Sequence, residues 1–442
     1  MLYLMTGGRR VLMVGAGPTG VLTALGLAQA GAEVTIIERE PDIVGSPRAT
    51  VYMASTLKVL DELGLLEEAR QSGAIGYEFN QHFKLTGHIC RMDHRLIADL
   101  TPYAYTLHFG QDELAQLALR HFRALPGTQV QWNTSFAALT PHGDVVSVEL
   151  ETPAGRRTGE FDWVIGADGA RSAVRPAMGA SFDGFTWPET FMATNVYYDF
   201  ESLGWVHSNM IADADNWAVV ARLNRQEHFW RISYSESGEL GEEQRLARIP
   251  ERYRIFLPDS RRWQLDRANS YRVHQRSASQ YRIGRVLLAG DAAHATNPIG
   301  GMGLTSGIQD ASALIRAFAA LLSGEAGEDI LDWYAYERRR CFLEIANPSA
   351  IEFKRRAQEA DPARRLEDEG NFLAMMENRE LHRAALMSIF ELCGRPYQPD
   401  WRATLVPRDK ERTAARPLVL GADMAARVKH TAEIESSGES EI

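Results

Sequence analysis

The segment Arg10–Glu38 constrains this chain more than any other. Residues 11–14, Val-Leu-Met-Val, form a short apolar run that ends at Gly15. Such a run bounded by glycine reads as a strand buried on both faces. Gly15-Ala-Gly17-Pro18-Thr19-Gly20 follows, then Val21 to Ala30 with Leu and Ala at helical spacing, stopped by Gly31. Ala32–Glu38 reads as a second strand with an acid at its carboxyl end. Strand, glycine turn, helix and strand within about 30 residues make a dinucleotide-binding βαβ unit. Gly15 permits the tight turn, Gly17 lets backbone approach a pyrophosphate, and Gly20 lets the helix pack close to the strand. The helix N-terminus offers unpaired N–H groups and the positive end of a dipole. Glu38 stands where a carboxylate accepts hydrogen bonds from a ribose diol. This unit alone does not separate FAD from NAD, because both carry an adenosine ribose and a pyrophosphate.

Composition narrows the class. At 442 residues the chain exceeds one ordinary core, so two or three domains are expected. Hydrophobic residues at 45% and charged residues at 24% exclude disordered, collagen-like and disulfide-scaffold classes. With 48 Lys plus Arg against 58 Asp plus Glu, the formal charge is −10, which argues against a nucleic-acid partner. Cys90, Cys341 and Cys393 are far apart with no CxxC pair, so neither a thiolate metal site nor a disulfide framework is expected. Reduced thiols suit the cytoplasm. No apolar run reaches the length of a membrane span. The N-terminus places its apolar residues before its basic pair, the reverse of a secretory signal, so export is not expected.

Two later segments repeat the strand-then-turn pattern. Phe161–Ile165 leads into Gly166-Ala-Asp168-Gly169-Ala-Arg171-Ser172. Arg282–Ala289 leads into Gly290-Asp291-Ala-Ala-His294, and then Asn297-Pro298-Ile-Gly300-Gly301-Met302-Gly303-Leu304 opens a helix expected to run to about Leu322. A carboxylate at the end of the second strand can hold a ribityl chain. Amides from Gly301 to Leu304 at a helix start can stabilise negative charge on a reduced flavin.

Together the three segments resemble the fingerprints of the single-component FAD-dependent aromatic hydroxylases, typified by p-hydroxybenzoate hydroxylase, over roughly residues 9–345. Ser46-Pro47-Arg48-Ala49 matches a loop whose arginine reaches the cofactor, and Phe109-Gly110-Gln111 resembles a helix-opening glutamine near the pyrophosphate. One departure is Leu304-Thr305, where many members have an Asn-containing turn. The resemblance implies an α/β fold, with a Rossmann-like FAD-binding domain, an inserted antiparallel-sheet substrate domain and C-terminal helices. Its boundaries are 1–75, 106–180 and 276–345 for FAD, 76–105 and 181–275 for the sheet, and 346–442 for the helical region, with a disordered tail from Glu433. It implies non-covalent FAD, held by Gly15, Gly17, Pro18, Thr19, Gly20, Glu38, Arg39, Arg48, Gln111, Asp168, Gly169, Asp291, Pro298, Gly301, Met302, Gly303 and Leu304.

NADH or NADPH would dock transiently, since no second GxGxxG is present. The implied activity is hydroxylation of a small or medium aromatic (phenolic, amino-aromatic or N-heteroaromatic) by O₂ through a flavin C4a-hydroperoxide, in a monomer or homodimer. Epoxidation, Baeyer–Villiger oxygenation and FAD-dependent reduction remain alternatives on the same fold. Halogenation lacks its Trp-x-Trp signature here, and a non-enzymatic flavin protein is the remaining option. Candidates for managing the substrate proton are Tyr52, His108, Tyr197, Tyr198 and Tyr234, with Pro298 in the loop. Strand alternation allows at most one of Tyr197 and Tyr198 to face inward. His294 reads as loop support, and Trp217 and Trp230 as possible pocket walls.

Overall fold

The structure, a computed structural model, describes residues 9–45 and 47–403. Ser46 and the tail from Glu433 lie outside the described residues. The first sheet has the order Arg282–Ile283, Val286–Leu288, Trp163–Gly166, Arg10–Val14, Glu33–Ile37, Thr128–Gln131, parallel except for the 282–283 hairpin edge. Val11 to Val14 are buried because both faces are covered. Val11 and Met13 pack under the helices Pro18–Gln29 and Met302–Ser323, while Leu12 and Val14 meet Val146, Val148 and Leu150 of a three-stranded meander. A continuous apolar run is therefore what this position demands.

The second sheet has eight strands, in the order His294–Ala295, Gln264–Ala278, Phe182–Tyr197, Phe229–Glu236, Ala218–Arg222, Ser208–Ala212, Glu78–Phe83, Ile89–Asp93. Every neighbouring pair is antiparallel but one: Ser208–Ala212 runs parallel to Glu78–Phe83. Those two strands come from distant parts of the chain, so no hairpin turn sets their relative direction. Register puts Phe79, Gln81, Ser208, Met210, Val219, Ala221, Arg231, Ser233, Phe191, Asn269 and Tyr271 on one face. Met192, Val196, Val220, Trp230, Ile232 and Tyr234 share the opposite face and pack against Tyr253 and Phe256.

Helices Asn347–Ala357, Pro362–Glu377 and Arg379–Met387 close the far side. A π turn, Phe342–Ala346, precedes Pro348, whose missing N–H interrupts the regular ladder. No helix among the described residues is long and apolar enough to cross a membrane.

Candidate active site

One cavity of about 1610 Å³ lies between the two sheets. Gly15, Gly17, Pro18, Thr19, Glu38, Arg39, Arg48, Gln111, Asp168, Gly169, Asp291, Pro298, Gly301, Met302, Gly303 and Leu304 all line it. Gly20 does not: a Cβ there would stand 2.2 Å from the Gly15 carbonyl oxygen, so its part is helix–turn packing.

The residues present fit a dinucleotide. A Cβ built on Gly17 meets no protein atom within 4 Å, so this backbone faces open cavity. Pro18 starts the helix and no side chain caps it, leaving first-turn amides available. Glu38 accepts the Ala16 amide (2.8 Å) and the Glu40 amide (3.1 Å), which orients a carboxylate that still has lone pairs for a diol. Asp168 Oδ2 accepts the Ala173 and Val174 amides at 2.7 and 3.2 Å, while its Oδ1 has no partner. Arg175 ties the two turns together, donating to the Ala170 and Ala292 carbonyls at 3.0 and 2.8 Å.

The Asp291 side chain opens onto the cavity yet stands deep among protein atoms. That desolvation raises its pKa, opposed by the nearby charge of Arg48. Behind it, Asp310 accepts from the Gly290 amide (2.9 Å), His294 Nε2 (2.7 Å) and Arg338 Nε (2.8 Å), which anchors the turn from below. Gly300 and Gly301 both take left-handed φ, 80° and 70°, and Gly301 caps the 22-residue helix Met302–Ser323 with no side-chain partner. Side chains at these positions would strike Phe353 and Met53. The amides of Met302, Gly303 and Leu304 thus head an uncapped helix at the cavity.

The catalytic candidates fare differently. Pro298 lines the cavity; Tyr52, His108, Tyr197, Tyr198 and Tyr234 do not. Tyr234 is on the wrong face of its strand, as is Trp230, whereas Trp217 lines the cavity beside Phe191 with ring centroids 5.2 Å apart. Tyr198 gives its hydroxyl proton to Asp259 (2.6 Å) and Tyr197 accepts from Gln226 (2.8 Å) at the end of the sheet. Tyr52 is buried against Phe109 at 4.5 Å. His108 is buried just behind the wall.

The tyrosine that does line the cavity is Tyr271, near the charges of Arg231, Arg48 and Asp291; burial raises its pKa. It sits in a polar strand, Gln264–Ala278, without the aromatic pattern that drew attention to the others. Arg231 also lines the cavity. It donates to Asn195 Oδ1 and to the Arg48 carbonyl, and burial pulls its pKa down to about 10. His94 is a third residue that sequence patterning missed; burial lowers it to about 4.

Residues 9–347 match the FAD binding domain family. The chain belongs to the FAD-dependent aromatic hydroxylases. This hydroxylase is 38% identical over 388 residues to para-nitrophenol 4-monooxygenase of Pseudomonas sp. (strain WBC-3), covering 87% of this chain and 96% of that protein. It is 36% identical to 6-hydroxy-3-succinoylpyridine 3-monooxygenase of Pseudomonas putida (strain DSM 28022 / S16), over 77% of this chain and 87% of the relative. The crystal structure of p-nitrophenol 4-monooxygenase from Pseudomonas putida DLL-E4 superposes with a TM-score of 0.84 at 38% identity, covering 88% of this chain and 99% of that one. The hydroxylase is thus an FAD-dependent aromatic monooxygenase.

Proposed function

We propose that this hydroxylase uses FAD, NADH or NADPH, and O₂ to oxygenate a phenolic or hydroxylated N-heteroaromatic ring at the carbon para to its ring hydroxyl. One observation carries the reading: the glycine-rich segments and a sheet face bearing Phe79, Phe191, Met210, Val219 and Tyr271 open onto the same cavity. Pockets for single small ligands span roughly 300–1,000 Å³, so about 1610 Å³ accommodates a dinucleotide and a ring together. The two relatives' names support the position of attack. Carbon 4 of para-nitrophenol and carbon 3 of 6-hydroxy-3-succinoylpyridine each lie para to a ring hydroxyl and each already bears a substituent. A ring hydroxyl raises electron density at that carbon.

Bound FAD supplies an electrophilic oxygen by reductive activation of O₂. The chain holds and orients. Asp291 takes the ribityl chain, Glu38 the adenosine ribose, Arg48 and the helix at Pro18 the pyrophosphate, and the Met302–Leu304 amides the flavin's electron-rich edge. FAD is held without a covalent tether, and the nicotinamide donor docks transiently near Asp168 and Gly169. Residues 1–75, 106–180 and 276–345 hold the cofactor, 76–105 and 181–275 roof the ring, and the following helices exclude water. The enzyme works in the cytoplasm as a monomer or homodimer.

The test is NADH and NADPH oxidation across para-substituted phenols, anilines and hydroxypyridines under ¹⁸O₂. The expected product carries one labelled oxygen para to the ring hydroxyl, with the former substituent released. Nicotinamide oxidation without label in any product would overturn the reading.

A further inference from the structure

Strand pairing brings Val51 opposite His108, Tyr52 opposite Leu107, and Gly76 opposite Thr106. Met53 is the side chain that a Cβ on Gly301 would meet, at 2.7 Å. Thr106, Met53 and Gly301 line the same cavity. Ser208, on the eight-stranded sheet, faces the same cavity, and both hydroxyl-bearing residues are largely buried.

Both hydroxyls converge on His108. Its Nδ1 lies 3.1 Å from the Arg222 carbonyl oxygen and so carries the ring proton. Its Nε2 is then an acceptor, 2.9 Å from Thr106 Oγ1 and 3.4 Å from Ser208 Oγ. Thr106 Oγ1 has one other partner, the Gly76 carbonyl at 3.1 Å, which is also an acceptor. Nε2 has one lone pair, so Ser208 donates to it while Thr106 donates to the Gly76 carbonyl; both hydroxyl protons then point into the protein, and the oxygen lone pairs are left for the cavity.

We propose that Thr106 and Ser208 form an acceptor subsite that binds the ring hydroxyl of the substrate as a hydrogen-bond donor, with His108 and the Gly76 carbonyl as the positioning acceptors that turn the two hydroxyls inward. This rests on the phenolic reading above. The groups facing His108 are His207, His94 and Arg222. Burial holds His108 down to about 3 and His94 to about 4, and lowers His207. Arg222 is engaged with Glu201. Among the described residues, the groups facing His108 thus offer the ring hydroxyl acceptor oxygens rather than an unpaired cation. A ring hydroxyl whose proton is drawn toward these acceptor oxygens gains electron density, which is passed to its para carbon.

The test compares para-nitrophenol with its methyl ether, para-nitroanisole, by flavin absorbance titration of the FAD-loaded enzyme. The ether keeps the ring and the nitro group but has no donor. In the wild type the phenol should bind about tenfold or more tighter, because the ether has no proton to donate to this buried acceptor pair. In Thr106→Val with Ser208→Ala that ratio should collapse toward one, mainly through loss of phenol affinity. Ser208→Ala alone, the milder change, should lower it part-way. A purely structural role for these residues would weaken both ligands alike and preserve the ratio. A wild-type ratio near one, or a ratio unchanged in the variants, overturns the subsite. If phenols are oxygenated but the ratio is near one, only the subsite falls. If the wild type binds no phenol, the functional reading falls and the subsite with it.

Discussion

Single side chains in this cavity act through what holds them. Asp291 is the carboxylate whose environment is most exacting, since it is desolvated, faced by Arg48 and mounted on a turn that Asp310 pins through the Gly290 amide. Asp291→Ala should cost FAD one charge-assisted hydrogen bond, about 1.5–3 kcal/mol or roughly 10–150-fold in affinity. FAD released on ultrafiltration measures it, and an unchanged dissociation constant would remove Asp291 from the ribityl site. A contrasting expectation attaches to Tyr234. Its hydroxyl has no partner and its strand face looks away from the cavity. Tyr234→Phe should leave kcat/KM as in the wild type, whereas Tyr271→Phe should change it. Steady-state kinetics on a shared phenolic substrate compares the two, and the reverse order would mean that the Tyr234 face of the sheet meets the substrate.

Elements contribute by aiming their ends. The helix Met302–Ser323 presents its N-terminus to the cavity because two successive glycines turn the chain through left-handed φ, closely packed by Phe353 and Met53. Gly301→Ala must adopt that φ with a Cβ, at about 1–2 kcal/mol, and must displace Met53 as well. Both a lower melting temperature and weaker FAD binding are expected, read by thermal denaturation with and without added FAD. An Ala variant that binds FAD normally would show that the helix start does not need this geometry. The Arg48 loop is held differently. Its main chain is hooked to the sheet, with Arg231 donating to the Arg48 carbonyl and Asn269 to the Pro47 carbonyl (3.4 Å). The Arg48 side chain is thereby left free to face the cavity.

At the scale of the molecule, the C-terminal segment is tied back to the FAD-binding unit by charge. Glu337, buried in the helix Asp329–Cys341, receives Arg340 and, from beyond the last helices, the Arg395 side chain and amide. Burial works against the carboxylate, but these partners outweigh it and hold Glu337 at about 2 against an ordinary 4.5. A lowered folded-state pKa gives stability that is present above pH 4.5 and lost as pH falls toward 2. The full linkage is about 3 kcal/mol. Urea midpoints measured from pH 7 down to pH 3 should therefore fall less steeply for Glu337→Gln than for the wild type, from a lower starting value at pH 7. Parallel slopes would show that Glu337 titrates normally.

How much was legible beforehand depends on the range of the interaction. The βαβ turn, the Asp-Gly turns and the glycine loop could be read from the chain because their geometry is local. A left-handed φ, a helix start or a strand-end carboxylate needs particular residues at neighbouring positions, whatever else the molecule does. The pocket's polar groups could not be read in this way. Tyr234 and Trp230 differ from Arg231 and Ser233 only by strand parity, and a one-residue step reverses the face. Which face met the flavin side was set by the partner strands. Tyr271 lies in a strand with no aromatic pattern. The hydroxyls of Thr106 and Ser208 meet at His108 across about a hundred residues of chain, and burial, with the neighbouring His207, His94 and Arg222, holds that imidazole's pKa down. Sequence by itself determined the glycine turns and the strand-end carboxylates, because backbone conformation is encoded residue by residue. Only the tertiary structure decided what lines the ring's side of the cavity, because facing and desolvation are properties of packing.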